Sequence, residues 1–364
     1  MATKKNQYYP ESVSYPGTTL AEKLDELGMG SKEFAIRTGK PEKTISEILS
    51  GESSITPDMA VLFEGVLKIP ASFWLTRQRN YDEAVARLKR VETIANSTEW
   101  AENFPYAQMA SYGWVSPTRK VEEKVKNLFD YFSVGNQKAF EDYYFNAKLR
   151  VNFRVSLAHT RRPYAFAAWL RQGEVQASSL GKVAYKEKSL LNSLPELKRL
   201  MAEHPSDFFK RLQSICLRSG LRVVYTPCIN GASINGSTRW IGDSPLIQLS
   251  ARYKQNDIFW FTFFHEIAHI LMHGKKYVAL EDVDYEELDE SKEKEADEFA
   301  VKWTFSKEEE EEVLKKPVIT EEDVEFFAKK FNTHPACIIG RFHHKKLIEH
   351  YIGRRFIEKI DLSQ

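Results

Sequence analysis

The stretch FTFFHEIAHILMHG holds the residues best suited to chemistry. His265 and His269 stand four positions apart, so on a helix they lie one turn above each other and point the same way. Two imidazole nitrogens at that spacing can reach one zinc ion, and Glu266 beside them can take a proton from a water the metal holds. Phe261, Phe263, Phe264, Ile267, Ala268, Ile270 and Leu271 make the helix apolar almost all round, which predicts burial. Buried polar groups left without partners cost roughly 2–7 kcal/mol each, so this trio needs company. The five-residue pattern alone also fits a chance HExxH in a core helix.

The downstream segment SKEKEADEFAVKW weighs against chance. Ala296, Phe299, Ala300 and Trp303 form an apolar stripe at helical spacing, so this segment is a helix packed on something. A zinc site with two histidines needs a third protein ligand, and a carboxylate from a second helix is a common solution. Glu293 is preferred, because Asp297 one turn on can hold the other nitrogen of a ligand histidine. Glu295 remains the alternative, differing from Glu293 only by about 20° of helical angle. His273 is about 12 Å along the helix from His265 and cannot share its zinc. It is expected beside the ligands or on the surface.

The 364 residues, 42% hydrophobic and 13% aromatic, suffice for two or three domains with cores. Charge is balanced at 52 Lys+Arg against 51 Asp+Glu, so no electrostatic argument for nucleic acid exists at the level of the whole chain. The first ninety residues carry 13 basic and 12 acidic side chains, so a DNA-binding claim must rest on motif and placement. Cys216, Cys228 and Cys337 are scattered, which points to a reducing compartment without disulfides. The N-terminus lacks the apolar core of a signal peptide, and no stretch is long enough to span a bilayer. A cytoplasmic protein with no membrane contact is expected.

Mainly helical structure with a small α+β domain is the fold these patterns predict. Residues 1–92 read as a five-helix DNA-binding domain with glycine or proline at each junction, with Ser31 the expected cap of its second helix. Residues 93–215 read as a helical linker or sensor. Residues 216–364 hold the candidate metal site, with LRVVYT, GASINGSTRW and PLIQLS as short strands. PLIQLS is expected to offer an edge on which an extended substrate pairs. The run Glu308 to Glu312 is expected to be a solvated helix face.

With these residues in view, the C-terminal third resembles the ImmA/IrrE family of metallopeptidases, through PLIQLSARYKQNDIFWFTFFHEIAHILMHG, EKEADEFA and FNTHPACIIGRFHHKKLI. The N-terminal part resembles HigA-type antitoxins of the XRE helix-turn-helix class, through YPGTTLAEKLDELGMGSKEFAIRTGKPEKTISEILSGESSITPDMAVLFEGVLKIP and the text that follows. The resemblance implies a gluzincin-like zinc site: His265 and His269 as ligands, Glu266 as base, and a glutamate of EKEAD as third ligand. It also implies repressor control, since peptidases of this kind act on a DNA-binding partner.

Gly17 to Gly51 has the layout that places a second helix in the major groove of double-stranded DNA. On that helix Lys43, Thr44, Ser46 and Glu47 lie away from Ile45 and Leu49 and are candidates for base edges. Lys32, Arg37 and Lys40 are candidates for phosphates. A homodimer on a palindromic operator is the expected geometry. Two functions of different class follow: a zinc endopeptidase located by its DNA-binding module, or a non-cutting repressor or antitoxin that uses the peptidase fold to sense or dock.

Overall fold

The computed structural model describes residues 14–147, 162–181, 183–232, 234–275, 279–280, 287–349, 351–360 and 362. Contacts divide the chain into two units, Met1–Asn96 and Ser97–Gln364. Residues 1–13, where no signal peptide was expected, lie outside the described residues. No helix among the described residues is long and apolar enough to cross a membrane.

The first unit folds as helices α1 (Pro16–Glu26), α2 (Ser31–Thr38), α3 (Glu42–Ser50), α4 (Pro57–Leu67) and α5 (Ala71–Ala95). Gly39 and Gly51 end α2 and α3 at φ of 65° and 82°, a left-handed conformation that costs little without a Cβ. Thr56 caps α4 by accepting from the Met59 N–H, and Pro57 fills its first turn. At α2 the cap is Gly30, and Ser31 is the first helical residue. Leu20, Leu24, Phe34, Ile45, Ile48, Phe63 and Trp74 form the core, each burial contributing about 1.5–3 kcal/mol. This core fixes α3 with Ile45 and Ile48 inward, so its polar residues face out.

The second unit begins with α6 (Thr98–Glu102), α7 (Tyr106–Ser111), α8 (Val121–Phe132) and α9 (Gln137–Phe140), which runs on as a π-helical turn. Then come α10 (Pro163–Ser179), α11 (Glu187–Glu203) and α12 (Phe208–Arg218). The strands are β1 (Arg222–Tyr225), β2 (Gly236–Ile241), β3 (Ser244–Leu249) and the two-residue β4 (Ala279–Leu280), in the order β1-β3-β2-β4. β1 runs parallel to β3, and the other pairings are antiparallel. PLIQLS is therefore the interior strand β3, not an edge. Its residues are buried on both faces, and such a strand belongs in the middle of a sheet.

Helices cover both faces of this sheet. On one face α10 is clamped by Gln248 Nε2, which donates to Trp169 O at 2.7 Å, and by Arg239 Nη2, which donates to Leu170 O at 2.7 Å. On the other face Ile247 and Leu249 share a core with Phe263 and Ile267 of α13 (Asn256–Ala268), which continues as a π-helical turn over His269–His273. The acidic helix α14 (Glu287–Thr304) packs beside α13, and α15 (Lys307–Leu314), α16 (Glu321–Phe331) and α17 (Pro335–His344) follow. The glutamate run on α15 is not uniformly solvated. Glu310 is 3% exposed and paired with Arg341 at 3.3 Å and Lys345 at 2.5 Å, because α17 brings two cations against that face.

Beside α13, His204 Nδ1 accepts from Trp260 Nε1 at 3.0 Å and His334 Nδ1 accepts from the Ala336 N–H at 3.1 Å. Burial pushes both imidazoles down to about 4, and the His334 ring further weakens the charging of His204. The unfolded chain takes up these protons near pH 6.5, whereas the folded one resists until about pH 4. Stability should therefore fall as pH drops through that window, by ~2–3 kcal/mol per imidazole at most. Denaturant melts at pH 7 and pH 4.5 should show this loss, and a His204→Gln/His334→Asn double variant should show a shallower one. Equal slopes for both proteins would rule these groups out.

Candidate metal centre and nucleic-acid interface

α13 and α14 lie side by side and bring His265, His269 and Glu293 together, with one potential ligand atom from each within 4.8 Å of the others. His265 Nε2 is 3.0 Å from His269 Nε2 and 3.1 Å from Glu293 Oε2, and His269 Nε2 is 3.6 Å from Glu293 Oε1. Bonds of about 2.0–2.2 Å to a tetrahedral ion set its donor atoms about 3.3–3.6 Å apart, so two of the three separations would have to widen by a few tenths of an ångström to hold zinc. Both imidazoles are buried, and Glu293 is half-buried.

The outer ring nitrogens set the tautomers. His265 Nδ1 donates to Asp297 Oδ1 at 2.9 Å, which leaves Nε2 as the lone-pair nitrogen. On His269 the partner is a relay: Nδ1 lies 2.9 Å from His273 Nδ1, and His273 Nε2 lies 3.1 Å from Glu295 Oε2. With Glu295 accepting from His273 Nε2–H, His273 Nδ1 accepts from His269, whose Nε2 also turns a lone pair inward. Glu295, weighed above as a ligand, thus sits at the end of this relay, away from the three-atom cluster. The stacked spacing of 265, 269 and 273 is the sequence signal that could have shown it. Burial pushes Glu293 up, yet the His265 and His269 rings together hold it well below the usual carboxylate range. Burial pushes His269 down to about 4, so its neutral form dominates.

Glu266 is fully buried on the sheet side of α13, where Thr238 Oγ1 donates to its backbone oxygen at 3.1 Å. Gly236 adjoins its carboxylate: a Cβ there would lie 2.5 Å from Glu266 Oε1 and 2.8 Å from Thr262 Cγ2. Neither Gly236 nor Thr238 was singled out by sequence reasoning, since only strand pairing places β2 beside Glu266.

In the first unit, α3 turns Lys43 and Ser46 outward, with Thr44 and Glu47 partly covered. Lys32 and Arg37 are exposed on α2, and Lys40 follows it. Lys43 pairs with Glu47 at 3.7 Å and Arg37 with Glu33 at 2.6 Å, exposed pairs worth about 0–1 kcal/mol that a phosphate can displace.

The fold and site define a helix-turn-helix protein joined to a metallopeptidase-like α+β unit. Residues 216–338 match the family model of the IrrE N-terminal-like domain, a peptidase family. The uncharacterized HTH-type transcriptional regulator YddM of Escherichia coli (strain K12) is 33% identical over 85 residues, 21% of this chain and 90% of its own. An addiction module antidote protein of the HigA family from Coxiella burnetii is 32% identical, covering 23% of this chain and 91% of its own, with a TM-score of 0.22. A Pseudomonas aeruginosa protein solved with its 18-base-pair operator DNA is 26% identical, covering 21% and 84%, with a TM-score of 0.21. The chain belongs to the helix-turn-helix transcriptional regulators through its N-terminal region and carries an IrrE N-terminal-like domain in its C-terminal region.

The tight approach of β2 to Glu266 gives a direct test. Gly236→Ala should force Glu266 or β2 to shift and lower the stability of the second unit by about 1–3 kcal/mol. Denaturant melts of variant and wild type would measure it, and coincident curves would show that the space is not needed.

Proposed function

We propose that this protein is a DNA-binding transcription regulator whose C-terminal domain is a zinc-dependent endopeptidase acting on a regulatory partner, a repressor or a toxin protein. In this reading residues 1–92 bind operator DNA, 93–215 link or sense, and 216–364 carry the peptidase, in a homodimer in the cytoplasm. The observation that carries it is the meeting of two lone-pair imidazole nitrogens from a buried helix with a carboxylate from the amphipathic helix packed on it, with Glu266 alongside. Such a set repels itself unless the three donors share a cation.

His265, His269 and Glu293 would hold the metal, with Asp297 fixing the His265 ring. Bound zinc supplies a Lewis acid that acidifies water and polarises a peptide carbonyl. Glu266 takes the proton of the attacking water and returns it to the leaving amine. Its burial against Gly236 and Thr262 keeps bulk water from competing for that proton. About one zinc per chain is expected, and Glu266→Gln should keep it while stopping loss of the partner protein in cells. Metal analysis and partner turnover measure the two parts. If Glu266→Gln matches wild type in turnover and promoter control, cutting fails and the site senses or docks as in an antitoxin.

On DNA, α3 would present Lys43, Thr44, Ser46 and Glu47 to base edges, with Lys32, Arg37 and Lys40 at phosphates. Replacing Lys43 and Thr44 together by Ala should weaken binding to the protein's own promoter by about tenfold or more and leave the helical content unchanged. A shift assay at matched salt with equal affinity would move the readout elsewhere.

A further inference from the structure

Ile258, Phe261, Thr262 and His265 follow each other at helical spacing on α13, so the face with the histidines continues toward the helix start. Over that continuation lies a cavity of about 350 Å³, closed by α14 and α17 and reaching Asp297 at one end. A cavity of this size is at the small end of ligand sites. Its walls are apolar at Ile258, Phe261, Val301 and Phe305.

Thr262, Thr304, Asp297, Arg341 and His344 add polar groups to this lining, and two further oxygens in it have no partner. Asn235 Oδ1 and Asp257 Oδ1 are both buried, and no described group donates a hydrogen bond to either. The cations nearby do not serve them: Arg341 is paired with Glu310 at 3.3 Å, and His344 stands at the exposed mouth. The far face of Asp257 is closed by Gly340, where a Cβ would come within 2.3 Å of Asp257 Oδ2. Burial also raises the Asp257 carboxyl, in spite of backbone N–H groups and the His343 charge that favour its ionised form. An apolar occupant would leave both oxygens buried without a donor, and an acidic one would face a carboxylate.

We infer that this cavity is the subsite for a lysine or arginine side chain of the peptide substrate, its stem along Phe261 and Val301 and its cationic head on Asp257 and Asn235. A long apolar stem with a charged, multiply donating tip matches such a lining. The inference rests on the peptidase reading and names the substrate class of that site.

Two measurements separate the inference from the reading beneath it. In the first, arginine amide and norleucine amide are titrated into the zinc-supplemented full chain and followed by calorimetry. Arginine amide should bind at least about tenfold more tightly, and Asp257→Asn should remove the preference. Val301→Phe, which fills the cavity without changing charge, should block binding while its melting curve reports the fold. Equal binding of both amides, or an Asp257→Asn protein that keeps the preference, overturns the inference. In the second, the wild type is given a random peptide mixture and the cut sites are sequenced. Basic residues enriched beside the cut support both claims. Cutting without that enrichment overturns the subsite and leaves the peptidase reading standing. Arginine-amide binding that depends on Asp257, with no cutting of the mixture and no partner turnover, keeps the cationic site and removes the peptidase reading.

Discussion

An α-helix that is apolar almost all round has to be covered on every side, and α13 carries His265 and Glu266 into that covered position, with His269 in the turn that continues it. Burying three polar side chains in this way is tolerable only where partners are built around them. α14 supplies most of them: Glu293 at the cluster, Asp297 behind His265, and Glu295 behind His273. Its three acids at 293, 295 and 297 fan around the helix axis, and each meets a different imidazole nitrogen. The amphipathic character of α14 follows from this need, with Ala296 and Ala300 small enough to let the two helices approach.

The sheet completes the enclosure through the alternation of β2. Gly236 and Thr238 face α13 and Glu266, while Ser237 and Arg239 face α10. Arg239 is buried, held down to about 10 by desolvation, and its guanidinium bonds to Gln248 and Leu170 rather than to solvent. Gln248 in turn reaches Trp169 and Thr226, so one polar network ties the helical middle to two strands. A buried network of this kind specifies one arrangement, because every slip of register would strand several more polar groups beside Arg239 Nε, which already lacks an acceptor among the described residues. The strand between α10 and the proposed base is a single layer, which makes the helical middle a structural neighbour of the chemistry.

The first unit solves a simpler problem. Its short helices cannot persist alone and depend on the shared core around Phe34, Phe63 and Trp74. That core spends the apolar face of α3, and what remains outward is a short polar row with mixed charge. If that row reads DNA as proposed, specific contacts must carry the recognition, because the charge of the chain is balanced.

The local pattern of the sequence determined the five N-terminal helices, the three main strands, and the pairing of an HExxH helix with an acidic helix. These are short-range properties: glycine and proline at junctions, apolar periodicity, and imidazoles one turn apart. Even the preference for Glu293 over Glu295 came from spacing, since Asp297 stands one turn beyond Glu293. Tertiary structure alone decided which strand lies inside the sheet, because PLIQLS reads the same whether one or two neighbours pair with it. It alone decided that Glu310 is buried, since the cations that donate to it come from α17 and its C-cap, some thirty residues on. It also decided that Glu295 serves His273, and that Asn235 and Gly236 at the start of β2 come beside Asp257 and Glu266 of α13. Side chains distant in sequence become neighbours only when burial brings their elements together, and no local spacing records that event.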